Sequence, residues 1–190
     1  MKDCIIVINP IAIRATKYIY NEKKRELCGK FSLSFMRHAA KLCGGGEGND
    51  GSLSDKDTSD HLSALMKAGG EYSVSYFREM GDGGILNALW YMNEELSSGM
   101  EIDLRKIPIR QETVEILELF NVNPYYAKSN GAWLLVTQDP VSVTEFCEEA
   151  GLPCSLIGRI THGPARIIKN GDSVRYLDRP QEDALSALCQ

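Results

Sequence analysis

Tyr76-Phe-Arg-Glu-Met-Gly-Asp-Gly-Gly-Ile-Leu-Asn-Ala-Leu89 is the stretch whose reading decides the fold. Ahead of it, Tyr72, Val74 and Tyr76 alternate with polar neighbours, the pattern of a half-buried strand. Behind it, Ile85, Leu86, Leu89 and Met92 recur at helical spacing, and the pattern continues to Glu94 and Leu96. A strand therefore runs into a tight turn, and Gly83-Gly84 open a helix. Free backbone N–H groups and the positive end of the helix dipole gather at such a turn, which suits it to holding phosphate. The same glycines also serve simply to let the chain turn sharply with positive φ.

Downstream, Gly99 to Leu104 alternates as a strand, and Ile107-Pro108-Ile109 reads as extended, because proline disfavours helix in the residue before it. Glu112 to Phe120 forms a helix with Val114, Leu117 and Phe120 inward. Ser129-Asn130-Gly131 is a turn before the most apolar strand, Ala132 to Thr137. Asp139-Pro140 starts a helix that Gly151 ends. Ser155–Thr161, Ala165–Lys169 and Ser173–Leu177 form a closing set of strands, with a hairpin turn at Asn170-Gly171.

Upstream, residues 3–8 read as a buried strand stopped by Asn9-Pro10. A helix from Ile11 to Leu27 follows, with Gly29 as its C-cap. The next helix turns Leu33, Met36 and Ala40 inward and carries His38 on its surface. Residues 44–55 form a glycine-rich flexible loop. Its G-x-G-x-x-G match at Gly46, Gly48 and Gly51 follows a helix rather than a strand, so it is not a dinucleotide site. Asp55 or Asp57 caps a short helix carrying Leu62, Leu65 and Met66, which Gly69-Gly70 end. The tail from 179 to 190 is polar except for Ala184, Leu185 and Leu188, which can form a last helical turn.

The chain has 190 residues, 43% of them hydrophobic and 25% charged, enough for one well-buried domain over residues 1–178. A net charge of −5 gives no basis for binding nucleic acid or an anionic membrane. No apolar run reaches the ~20 residues of a membrane span, and no export signal is legible, so a cytoplasmic protein is expected. The six cysteines form no Cys-x-x-Cys pair and no histidine lies at metal-ligand spacing from them, so no metal site is expected. Alternating strands and helices predict an α/β (α+β) domain with helices on a mixed sheet.

The ordered set Gly83-Gly84-Ile85-Leu86-Asn87-Ala88-Leu89, Gly99-Met-Glu-Ile-Asp103, Ile107-Pro108-Ile109-Arg110, Asn123-Pro124, Ser129-Asn130-Gly131 and Ile157-Gly158-Arg159-Ile160 resembles the C-terminal domain of the aminoimidazole ribonucleotide (AIR) synthetase superfamily. Within it, the resemblance is to hydrogenase maturation factors that dehydrate a carbamoyl thioester with ATP. The resemblance implies a three-layer α/β/α fold with a mixed, largely antiparallel sheet. It also implies that an N-terminal domain supplies most of the ATP and magnesium site, so ATP and Mg are expected only with a partner domain. The chain reads as the C-terminal half, a homo-oligomer or the companion of a separate N-terminal-domain or maturation protein.

Relatives show Asp, any residue, Thr or Ser, and any residue before the glycine pair; here Glu79, Met80, Gly81 and Asp82 stand instead. The hydroxyl is gone, and a carboxylate at 82 satisfies the helix dipole itself and repels phosphate. The maturation factors carry an acceptor cysteine at their extreme C-terminus, which makes Cys189 the corresponding thiol. The expected site is therefore Glu79, Asp82, Gly83 and Gly84, facing Ser129, Asn130 and Gly131, with Arg110 and Arg159 available to an anion. Three readings follow: a ligand- or partner-binding domain without catalysis of its own, half of a split ATP-dependent enzyme, or a structural dimerisation module. No catalytic triad or Walker loop offers a rival class.

Overall fold

The computed structural model describes residues 3–44, 55–67 and 72–188. Among them, β1 (Cys4–Ile8), β2 (Val74–Glu79), β3 (Gly99–Asp103), β4 (Trp133–Thr137), β5 (Cys154–Thr161), β6 (Arg166–Asn170) and β7 (Ser173–Tyr176) form one sheet. Its order is β2-β4-β1-β5-β3-β6-β7. Only the β3–β6 pair is parallel; the other neighbours run antiparallel. This is the mixed, largely antiparallel sheet that the family resemblance implies.

The helices are α1 (Ile13–Glu22), α2 (Lys24–Lys30), α3 (Leu33–Leu42), α4 (Asp55–Lys67), α5 (Gly84–Glu95), α6 (Gln111–Leu119) and α7 (Pro140–Glu149). The central strand β1 explains the layering. Ile5 and Val7 enter a core completed by Ala15 and Ile19 of α1, Met36 of α3, Leu86 and Leu89 of α5 and Leu117 of α6. Ile6 and Ile8 point the other way, against Leu62 and Leu65 of α4 and Val143 and Cys147 of α7. A strand covered on both faces must be apolar at every position, which is why Ile5-Ile6-Val7-Ile8 is unbroken. Each such side chain contributes about 1.5–3 kcal/mol when fully buried.

The layers are thus α/β/α, with one open region. On the α4/α7 side, the half of the sheet from β5 to β7 presents exposed Leu156, Val174 and Tyr176, together with Glu101 paired to Arg159 and Lys169.

Three local expectations need correction. The predicted helix from Ile11 to Leu27 is two helices broken at Lys23, and Gly29 lies inside α2, which ends at Lys30. Leu27 is the one buried residue of α2, so the chain bends to bring it to the core while its polar neighbours stay in water. Leu33 is 77% exposed, because it starts α3 just after the Ser32 cap and projects beyond the core. Val114 is exposed as well; Thr113, Ile116 and Leu117 form the inner face of α6. The predicted hairpin joins β6 to β7, with Gly171-Asp172 as the two loop residues between paired Asn170 and Ser173. The loop at 45–54, Gly69-Gly70, Cys189 and the side chains of Asp55, Asp57 and Met66 lie outside the described residues.

A glycine turn filled from within the chain

β2 delivers the chain to Met80, which is fully buried and donates its N–H to the Ala132 carbonyl at 2.8 Å. Gly81 and Asp82 make the turn, and Gly83 precedes α5 with φ +76°. Gly84 has φ +61° and lies against the backbone of the connection from α6 to β4. A Cβ there would sit 2.6 Å from the Tyr125 carbonyl oxygen and 2.8 Å from that of Ala127. No side chain fits.

The loop before β4 forms the facing wall. Ser129 donates its N–H to the Gly81 carbonyl at 3.2 Å. Its buried hydroxyl accepts from the Ala12 N–H at 2.9 Å and donates to the Ala127 carbonyl at 2.8 Å, tying the start of α1 to the same place. Gly131 donates its N–H to Glu79 Oε1 at 2.8 Å, and Asn9 Nδ2 donates to the Gly131 carbonyl at 2.9 Å. Asn130 Oδ1 is buried and has no hydrogen-bond partner among the described residues. The two segments singled out in the sequence, 79–84 and 129–131, are therefore neighbours in space. Arg159 is paired with Glu101 on the open sheet face instead.

The charges differ from the expectation. Asp82 pairs with Lys128 Nζ at 2.8 Å, on the surface. The hydrogen bond that Lys128 donates to Asp82, and then the Asp82 charge, hold the Lys128 ammonium above its ordinary pKa. An exposed pair of this kind adds little stability.

The carboxylate at the start of α5 is Asp183, which sequence reasoning did not single out. Its Oδ2 accepts the Gly83 N–H at 2.7 Å, and its Oδ1 accepts the Leu185 N–H at 2.9 Å. Asn87, one turn into α5, donates to the Gln181 carbonyl at 2.7 Å and accepts the Gln181 N–H at 3.1 Å. The polar tail thus packs onto the turn, and its apolar residues form a 3-10 turn over Ala184–Leu188. The sequence signal, a lone apolar pair after Glu182-Asp183, shows that the tail folds but not where.

A magnesium–nucleotide site does not fit within these residues. Glu79, Asp82 and the Gly83 N–H are all engaged with groups of this chain, and no hydroxyl precedes the glycine pair. Among the described residues, no three His, Cys, Asp or Glu side chains gather to hold a metal. No helix there is long and apolar enough to cross a membrane. A groove of about 730 Å³ lies between Asn21 and Cys28, at the end of α1 far from its Ala12–Ser129 contact, and has a charged rim.

A family model described as "AIR synthase related protein, C-terminal domain" matches residues 38–169. The chain belongs to this family. The match contains the glycine turn and its facing wall, while β1, α1 and the tail lie outside it. Among curated relatives, phosphoribosylformylglycinamidine synthase subunit PurL of Methanopyrus kandleri is 32% identical over 99 residues, 51% of this chain and 13% of PurL. Among solved structures, the hydrogenase maturation protein HypE of E. coli aligns with a TM-score of 0.68 at 14% identity, over 96% of this chain and 51% of HypE. HypE in its complex with HypF gives 0.65 at 15%, over 94% and 53%. Thiamine monophosphate kinase of Aquifex aeolicus gives 0.59 at 13%, over 95% and 52%. At such identities the likeness is one of fold. This AIR-synthase-type domain spans about half the length of those structures and a small part of PurL.

Proposed function

We propose that this AIR-synthase-type domain binds a ligand or a protein partner, in a process of the hydrogenase-maturation kind, and does not turn over nucleotide by itself. The observation that carries this reading is the state of the glycine turn. Its leading N–H is taken by Asp183, and the nearby carboxylates are taken by Lys128 and the Gly131 N–H. ATP with magnesium would need further groups from a partner domain.

A thermal-shift titration with ATP, ADP and AMP, with and without magnesium, tests it. The expected result is no saturable shift at millimolar nucleotide. A ligand at 100 times its dissociation constant adds about 2.7 kcal/mol, which a melting curve resolves. A saturable shift that vanishes in Gly84→Val would overturn the reading.

A second reading, half of a split ATP-dependent enzyme of the carbamoyl dehydratase or cyclo-ligase type, draws support from three observations. The solved structures it matches are about twice as long, and HypE is found in complex with HypF. The open sheet face with Leu156, Val174 and Tyr176 offers a partner domain apolar area. That reading predicts nucleotide turnover only when a separate N-terminal-domain protein is added.

A further inference from the structure

The start of α5 holds a peptide, and the bonding pattern shows what kind. Asn87 is 6% exposed and uses its one amide as both donor and acceptor on the backbone of Gln181. A two-point clamp on backbone atoms holds a segment whatever its side chain, a mode by which proteins recognise peptides. Two residues on, the Gly83 N–H reads a carboxylate, Asp183, with the positive end of the α5 dipole behind it. Two residues further, Leu185 enters the main core and is 7% exposed.

Gly83 serves this clamp directly. A Cβ at that position would lie 1.9 Å from Asn87 Nδ2, so any larger residue would push the amide off its peptide. The glycine makes room for a side chain of its own helix. This accounts for a second glycine that phosphate binding does not require here.

We infer that the turn and Asn87 form a peptide-binding site for an acidic segment that is clamped at its backbone and then closes into a 3-10 turn. Its pattern is a backbone-clamped residue, then Asp two positions on, then Leu two positions after that. Residues 179–188 are its resident ligand, bound in cis. The tether gives the resident segment a high effective concentration, so the same sequence offered in trans competes poorly while the tail is seated. This rests on the reading of the domain as a binding module and names the chemistry of what it binds at that place.

The test uses the full chain and a fluorescent peptide of residues 179–188. In the chain carrying Asp183→Lys and Leu185→Asp, which evicts the tail, the peptide binds saturably by anisotropy and raises the melting temperature. The unaltered chain binds it at least about tenfold more weakly, and a peptide with Asp183→Asn loses about tenfold against the evicted chain. A folded evicted chain that ignores the peptide, or one that binds both peptides equally, would overturn the inference. Should the double variant not fold, Asp183→Asn in the full chain keeps the test. The Gly83 amide must then exchange its hydrogen faster than in the unaltered chain, and an unchanged rate overturns the inference. Nucleotide shifts play no part in these outcomes, so this inference and the proposed function fail separately.

Discussion

Gly84 shows how little freedom the turn has. Its φ of +61° is strained for any L side chain, and the two carbonyls that a Cβ would meet belong to the short helical turn at Pro124–Tyr126 and to Ala127, which ends it. Neither can retreat as a flexible side chain would. Gly84→Ala therefore combines left-handed strain of about 1–2 kcal/mol with overpacking of about 1–3 kcal/mol. A drop of at least ~2 kcal/mol in denaturant unfolding is expected, and a loss under ~0.5 kcal/mol would show that the turn adapts. The need for glycine was legible in the sequence. The atoms that impose it, from residues 125 and 127, were not, because they come from a segment some forty positions away.

Contacts between elements explain a polar pair within the core. Thr16 of α1 and Thr113 of α6 are both fully buried, with their hydroxyl oxygens 3.0 Å apart and Thr16 Oγ1 2.9 Å from the Ala12 carbonyl. One hydroxyl caps the Ala12 carbonyl and the other is satisfied by its neighbour. Replacing Thr16 by Val strands the Thr113 hydroxyl in an apolar layer, at a cost of about 1–3 kcal/mol. Replacing both by Val removes the stranded group, and the double variant should recover much of that loss. Chemical unfolding of the three variants measures the coupling; strictly additive losses would mean that water reaches the pair. The expectation of Val114 facing inward failed for the same reason. Apolar periodicity cannot see that a threonine earns its buried place through a partner ninety-seven positions away.

For the whole molecule, groups at both ends of the pH scale bound the stable range. The Ser142 hydroxyl and backbone bonds hold Asp139, the cap of α7, below its ordinary pKa, and backbone and side-chain bonds from Arg105 do the same for Asp103. A carboxylate lowered by folding stabilises above its unfolded pKa, and that contribution is lost as pH falls through the folded value. Burial pushes the Cys43 thiol up to about 11 and Cys147 up to about 12. Their neutral form is favoured in the fold, so the contribution is complete below pH 9 and declines as pH rises toward 11–12. Stability is therefore expected to be flat between about pH 5 and 9 and to fall on both sides. Denaturant midpoints across pH should lose part of the acid limb in Asp139→Asn and part of the alkaline limb in Cys147→Ala. Unchanged limbs would mean that other groups govern both.

The sequence by itself determined the α/β class, the strand–turn–helix at 74–95, the family and the two segments that face each other. The first two rest on local pattern, the apolar period, glycine pairs and proline stops that act over a few residues; the family and the facing segments rest on the resemblance of the ordered motifs. Only the tertiary structure decided what fills the turn. Asp183 and Gln181 reach Gly83 and Asn87 across about a hundred positions of chain. A contact of that range leaves no periodic trace, since it depends on how the sheet and helices place two distant polar segments side by side.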